Sequence, residues 1–251
     1  MEPPRLIHAD HWLLVLAKPS GLLSQPGLGS ELADSLISRV QRRWPEARLA
    51  HRLDRDTSGL LLLARDAETH RRLSAAFAER RVRKTYLAQV HGVPVPRGGL
   101  IDQPLARLST RPPRYGVVPV AEGGRPALTR WRRLAVDEQD RAAGVPVPAV
   151  GAPADAVAAA GAQLLEAVVP ACSTLLLQPR TGRSHQLRVH LAWLGHPLVG
   201  DPLYGERLEA DASRIDRLQL HAAGLRLRHP ITGMPLRLRL GCRDPAWDRL
   251  D

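Results

Sequence analysis

The stretch His51-Arg52-Leu53-Asp54-Arg55-Asp56-Thr57-Ser58-Gly59-Leu60-Leu61-Leu62-Leu63-Ala64 sets five ionisable side chains and two hydroxyls directly before five apolar residues. A charge-free run of this length, entered through a glycine, reads as a strand buried on both faces. Charge that abuts such a strand needs a reason, and the residues alone leave two open. One is a turn stitched by salt bridges and closed by Thr57 and Ser58 through side-chain to backbone hydrogen bonds; the other is a loop that presents a carboxylate for chemistry.

Working outward from this stretch, His11 to Ala17 reads as a strand that stops at the Lys18-Pro19-Ser20-Gly21 turn. A helix is expected next, capped by Ser30, with Glu31 and Asp34 in its first turn and Leu32, Leu36, Ile37 and Val40 on one face. Downstream, Asp66 is placed to cap a second helix that runs to about Arg80, with Leu73, Ala76 and Phe77 inward and Arg outward. Lys84 to Val90, Ala127 to Val136, Ser173 to Gln178 and Leu236 to Leu240 read as further strands. A last helix, capped by Thr181 or Ser184 and ending at Gly195, turns Leu187, Leu191 and Leu194 inward. Strands outnumber helices and do not alternate regularly with them, so the expected class is α+β and not a doubly wound parallel sheet. Residues 142 to 162 are Ala, Gly, Val or Pro except for Asp155; this segment reads as a flexible insertion in a single domain spanning 1–251, with a domain boundary as the rival.

Composition narrows the function. The 251 residues carry a formal charge of +11, which attracts polyanions, nucleic acid first and anionic membrane second. Aromatic residues make up 4% of the chain, with a single Phe, which weakens any reading built on base-stacking platforms. No apolar run is long enough to span a bilayer and Met1-Glu2-Pro3-Pro4 does not begin a signal peptide, so a cytoplasmic location is expected. Cys172 and Cys242 are too few for a disulfide framework or a four-cysteine zinc site and are expected to be buried thiols. His185 and His190 are five apart, unlike the pair of a zinc-binding helix, and no dinucleotide fingerprint, phosphate-binding P-loop or nucleophile elbow is present. Among the 36 basic residues only Lys18 and Lys84 are lysine; two readings stand, a coding bias with the two lysines left by chance, or two positions that need a compact ammonium where a guanidinium does not fit.

A second dense segment, Thr181-Gly182-Arg183-Ser184-His185-Gln186-Leu187-Arg188-Val189-His190, crowds basic groups at a helix start, where backbone N–H groups favour a phosphate or a partner carboxylate. An amphipathic helix with a solvated polar face is the plainer alternative.

In order along the chain stand Lys18-Pro19-Ser20-Gly21 with Pro26, His51 to Gly59, Lys84-Thr85-Tyr86, Thr181 to His190, Gly195-His196-Pro197, Gly200-Asp201-Pro202-Leu203-Tyr204-Gly205, Leu220-His221-Ala222 and His229-Pro230. This series resembles the RluA-type pseudouridine synthases over nearly the whole chain. The resemblance implies that family's catalytic fold, with a mixed, mainly antiparallel β-sheet flanked by helices and loops, and no cofactor and no metal. It maps the catalytic aspartate to Asp54, the active-site tyrosine to Tyr86, the arginine that pairs with the aspartate to Arg188, and the basic residue associated with base flipping to Arg52. His51, Thr57, Arg183, His185, Gln186, Lys18 and Lys84 lie in the matched motifs and are expected to bind substrate RNA. A uridine stacked in a stem-loop must be extruded to reach Asp54, and Arg contacts to phosphate offset that cost. Gly21 to Gly27 and Gly99 to Arg114 look most like the family member that acts on both large-subunit rRNA and the tRNA anticodon stem-loop; a tRNA-only relative is the nearest alternative. The small N-terminal RNA-binding domain of some relatives is not expected, nor an obligate protein partner. A non-catalytic RNA-binding or ribosome-assembly protein on the same fold is the reading from another class.

Overall fold

Leu60 to Leu63 have no exposed surface, and the computed structural model shows which two layers cover them. It describes residues 4–110, 112–134, 172–205 and 217–241. The strands are β1 (Arg5–Ala9), β2 (Leu13–Lys18), β3 (Arg48–Leu49), β4 (Ser58–Ala64), β5 (Arg83–His91), β6 (Gly98–Asp102), β7 (Leu105–Thr110), β8 (Pro113–Val117), β9 (Leu128–Arg133), β10 (Cys172–Pro179), β11 (Leu220–Arg228) and β12 (Pro235–Arg239). The helices are α1 (Leu36–Val40), α2 (Ala67–Ala78) and α3 (Gln186–Trp193).

Successive side chains of β4 point to opposite faces. Leu61 and Leu63 join Leu14 and Leu16 of β2 under Leu36, Ile37 and Val40 of α1. Leu60 and Leu62 join Leu13 and Val15 under Leu73 and Ala76 of α2, together with Leu225, Leu227 and Leu238. A third cluster packs Leu187 and Leu191 of α3 on Ala88, Val90, Leu175, Leu177 and Trp131. Burying each leucine contributes about 1.5 to 3 kcal/mol, so these three dry layers supply most of the drive to fold.

Among the described residues one ten-stranded sheet runs β1-β2-β4-β11-β5-β10-β9-β6, with β12 beside β11 and β3 beside β4. It is mixed and mainly antiparallel, because only β11 and β4 pair in parallel, at His221 with Ser58 and Ala222 with Gly59. Gly59 has φ +120, and a Cβ there would stand 2.5 Å from the backbone N and O of Ala222. That close approach is why the motif ends in glycine. β11 therefore joins two half-sheets, β1-β2-β4 and β5-β10-β9-β6. Hairpin β7–β8 stands apart as its own two-stranded sheet, with Tyr115 and Val117 packed near Val189 of α3.

Several boundaries differ from the expectations. Helix α1 starts at Ser35 and not at Ser30, because Ser35 accepts from Ser38 N while the Ser38 hydroxyl accepts from Ser35 N, a reciprocal cap. Ser30 begins a separate 3-10 turn, Leu32 is exposed, and Asp34 pairs with Arg39 at 2.6 Å. Asp66 caps α2 as expected, accepting from Thr69 N at 2.8 Å. Neither Thr181 nor Ser184 caps α3; His185 holds that position in a left-handed conformation, φ 52. Cys172 is half-buried at the start of β10. The Ala/Gly/Pro insertion at 142–162 and Cys242 lie outside the described residues.

Candidate active site

The loop before β4 is held through its backbone. Four successive carbonyls each accept a hydrogen bond: Leu53 O from Ser24 Oγ at 2.7 Å, Asp54 O from Thr57 N at 3.2 Å, Arg55 O from Lys18 Nζ at 2.7 Å, and Asp56 O from Ser20 Oγ at 2.7 Å. Lys18 ends β2 and Ser20 and Ser24 follow it, so the turn that ends one strand clamps the loop that begins its neighbour. The Lys18 ammonium is 1% exposed and gives its other two N–H groups to Pro19 O and Leu22 O. Burial pulls it down to about 8, against the opposing pull of the Asp56 and Asp54 carboxylates.

The result of the clamp is one carboxylate left over. Asp56 is occupied by Arg55 at 3.0 Å, while the half-buried Asp54 carboxylate makes no hydrogen bond or ion pair among the described residues. It lines a cleft of about 800 Å³ at the junction of the half-sheets, together with Tyr86, Arg188, Tyr115 and Leu220. Its negative charge favours the protonated forms of Lys18, Tyr86, His185, Arg188 and Tyr204, which places it electrostatically at the centre of these five groups.

The opposite wall comes from the second half-sheet. Tyr86 of β5 touches the core clusters on both sides of the junction, and burial, reinforced by Asp54, raises its phenol so that it stays protonated. Arg188 of α3 is 3% exposed and pairs bidentately with Asp201, Nε to Oδ2 at 2.8 Å and Nη2 to Oδ1 at 2.6 Å, its guanidinium 5.1 Å from the Tyr204 ring centroid. Burial alone would pull Arg188 down; the hydrogen bond and charge of Asp201, with the charge of Asp54, outweigh it. The hydrogen-bonded partner of Arg188 is thus Asp201, and Asp54 acts on it through space, not as the direct pair expected. Asp201 Oδ1 also accepts from Leu203 N and Tyr204 N, which helps hold Tyr204, whose hydroxyl meets His185 Nδ1 at 2.8 Å and accepts from Tyr115 N at 3.0 Å.

The other expected RNA-binding residues divide. Arg52 is exposed in the cleft wall with no partner among the described residues, and Arg183, Lys84 and His185 also line the cleft. Lys18 does not: all its donors are spent on the protein. Gln186 is 4% exposed and saturated, its Oε1 accepting from Thr181 Oγ1 and Arg183 N and its Nε2 donating to Leu128 O and Thr129 Oγ1. It pins the Thr181 to Arg183 turn to β9 and has no free polar atom for RNA. His51 stacks on Phe77, ring centroids 4.3 Å apart, and its Nε2 accepts from Leu62 N at 3.0 Å; burial, with Lys84 nearby, lowers it to about 3, so the ring is neutral. Thr57 is 2% exposed, its N–H closing the Asp54 turn.

Sequence reasoning quoted Asp201 and Tyr204 inside a motif without a role; an Asp followed by Pro in a Gly-bounded turn is the signal that a carboxylate there would serve backbone N–H groups. Ser20 too was quoted in a motif without a role; Ser24, which bonds Leu53 O from 29 positions away, and Arg80, whose place in the cleft depends on how α2 ends, were missed. No group of three or more His, Cys, Asp or Glu among the described residues could hold a metal ion.

A half-buried, unengaged carboxylate facing a protonated phenol and an oriented guanidinium suits acid-base or nucleophilic work on a bound base or sugar. The chain matches the RNA pseudouridylate synthase family over residues 12–193. It is 36% identical over 228 residues to the dual-specificity RNA pseudouridine synthase RluA of Escherichia coli strain K12, covering 91% of this chain and 88% of that one. The namesake in Yersinia pestis is 36% identical over 234 residues, 93% and 97% of the two chains. The solved human RNA pseudouridylate synthase domain containing 1 superposes with a TM-score of 0.72 at 28% identity, over 100% of this chain and 89% of that one. The motif series, the sheet and the cleft thus converge with these likenesses: the chain belongs to the RNA pseudouridylate synthase family and is an RluA-type RNA pseudouridine synthase.

Proposed function

We propose that this synthase acts in the cytoplasm on uridines in stem-loops of both large-subunit rRNA and the tRNA anticodon arm, with Asp54, Tyr86 and Arg188 as its catalytic set. The isomerisation breaks the N1–C1′ bond of uridine and forms a C5–C1′ bond, with a proton lost at C5 and one gained at N1, so it consumes no oxidant or reductant. The single observation that carries the assignment is that the Asp54 loop has its carbonyls tied down by hydrogen bonds while the Asp54 carboxylate itself is left unengaged in the cleft. Tyr86, kept protonated, can pack on the base, and Arg188 sets the electrostatics around Asp54. Arg52, exposed beside them, is placed to take the room of an extruded base. The dual target is supported by the dual-specificity relatives, and no helix among the described residues is long and apolar enough to cross a membrane.

The test is Asp54→Asn, assayed for pseudouridine on rRNA and tRNA anticodon transcripts. The expected result is loss of product with stem-loop binding kept. Full product formation would remove Asp54 from the mechanism. Mapping pseudouridine in total RNA with and without the gene reads the target: sites in both RNAs support dual action, and sites in tRNA alone would replace it.

A further inference from the structure

The cleft is electrically divided. The Asp54 charge reaches five groups, whereas Lys84 and Arg183, which line the same cleft, are affected by cations and by no carboxylate. Burial and then Arg80 lower Lys84, and burial, Arg125 and Arg80 lower Arg183. Cations crowded without a counter-charge are held at an electrostatic cost unless an anion joins them.

The donors point the same way. Lys84 Nζ spends one N–H on Thr181 O at 3.1 Å and keeps two. Arg183 spends Nε on Pro126 O at 3.1 Å and keeps both terminal nitrogens. Arg80 is exposed in the cleft wall with no side-chain partner among the described residues. Gly182 leaves the Lys84 ammonium uncovered, since a Cβ there would stand 3.4 Å from Nζ.

Arg80 is also held at a cost. Helix α2 ends with Arg80 N on Phe77 O at 3.1 Å and Arg81 N on Ala76 O at 2.9 Å, the pair of bonds that closes a helix through a left-handed residue. Glycine takes that position with least strain, yet here it is an arginine at φ 59. A strained backbone that delivers a guanidinium to a cleft argues for the side chain's use.

We propose that Arg80, Lys84 and Arg183 form a seat for one phosphodiester of the RNA backbone flanking the target uridine. It rests on the reading of the cleft as an RNA site and deepens it: Asp54 takes the nucleoside, and the three cations in the same cleft hold the adjoining phosphate and so set how deep the flipped nucleotide enters. Phosphate contacts carry no sequence information, so the seat fixes register and not identity.

The experiment uses a stem-loop substrate with a neutral methylphosphonate placed at each linkage around the uridine in turn, and three proteins: wild type, Arg80→Gly and Gly182→Leu. Arg80→Gly removes the guanidinium while relaxing the backbone, so its Tm should equal or exceed that of wild type, which separates binding from folding. In Arg80→Gly the Kd should rise about tenfold, the loss of one charge-assisted contact, and the slope of log Kd on log salt should fall by about 1. Gly182→Leu, which keeps every charge, should weaken binding by covering the ammonium. One methylphosphonate position should weaken wild type about tenfold and add nothing in Arg80→Gly. Effects that multiply at every linkage, or full affinity in either variant, would overturn the seat. If wild type forms no pseudouridine on the unmodified stem-loop, the choice of substrate is at fault and not the seat, whose binding results stand by themselves.

Discussion

The Lys18 ammonium lies 2.7 Å from the carbonyl oxygen of Arg55, 37 positions later in the chain, and so ties the end of β2 to the loop that carries Asp54. Three carbonyls converge on one tetrahedral ammonium, a geometry a planar guanidinium fork does not reproduce. Lys18→Arg and Lys18→Met are both expected to lower kcat by tenfold or more. The pH dependence has a definite sign. Above about pH 8 the folded chain holds a neutral amine with two N–H groups for three carbonyls, so turnover falls along a limb near that pH. The ordinary value is 10.5, so between 8 and 10.5 the unfolded chain binds more protons and this group makes stability rise with pH. Turnover and urea midpoints measured over the same series should diverge; a joint fall would discard the clamp as the cause.

The buried Arg188–Asp201 pair is the second load on the site. Removing one member of such a pair leaves an uncompensated charge and costs about 3 to 5 kcal/mol. Asp201→Asn should therefore lower the urea midpoint sharply and loosen Tyr204, whose N–H the carboxylate also accepts. Arg188→Ala should impair catalysis more than RNA binding. An Asp201→Asn protein with an unchanged midpoint, or an Arg188→Ala protein that loses binding and turnover equally, would contradict this account.

Five histidines lowered by burial, His51, His91, His185, His190 and His221, make the fold acid-sensitive. His51 is lowered to about 3 by burial and Lys84, and His221, which meets Ser58 Oγ at 2.9 Å, to about 4, chiefly by burial. Unfolded, both titrate near 6.5, so between that pH and about 4 the unfolded chain binds more protons and stability falls as pH falls. Ordinary carboxylates titrate mostly below about pH 4.5, which leaves pH 4.5 to 6.5 to the histidines. Urea titrations across that range should show the slope, and His51→Gln should flatten it; an equal slope in the variant would exclude His51.

Gly59→Ala should cost more than about 3 kcal/mol, because a methyl group there meets the backbone of Ala222 at 2.5 Å as well as a disfavoured φ. Gly233→Ala is the control: its φ is +71 but nothing lies within 4 Å of the added carbon, so only the backbone strain of about 1 kcal/mol remains. Thermal unfolding of the two variants side by side measures the difference, and equal losses would mean the β4–β11 contact is not tight.

What could be read from the sequence followed local physics. The leucines of β4 and the Asp66 cap announce themselves within a few residues. Strand β11 did not, because its first half, Leu220 to Gly224, is Ala- and Gly-rich and lacks the β-branched residues that mark a strand. Hairpin β7–β8 mixes Leu105, Leu108, Tyr115 and Val117 with Arg, Ser, Thr, Pro and Gly and fully buries only Leu105, so it left no clean apolar period to find. Ser30 and Ser35 are chemically the same cap, and only the reply from Ser38 decides between them. At the site, Asp54, Tyr86 and Arg188 were legible as motif positions, whereas the partner of Arg188 lies 13 positions on, and the saturation of Lys18 and Gln186 depends on groups 37 and 58 positions away.

The place of β11 in the sheet has a consequence for biosynthesis. Both half-sheets are complete by Pro179 at the end of β10, yet only residues 220 to 228 bridge them. On the ribosome, then, β4 and β5 wait as open edges, exposed to wrong pairing until the bridging strand has emerged. Asp54 waits on one side of that gap and Tyr86 on the other. The nascent chain can carry Asp54, Tyr86 and Arg188 and still lack the joined cleft until residues 220 to 228 have emerged.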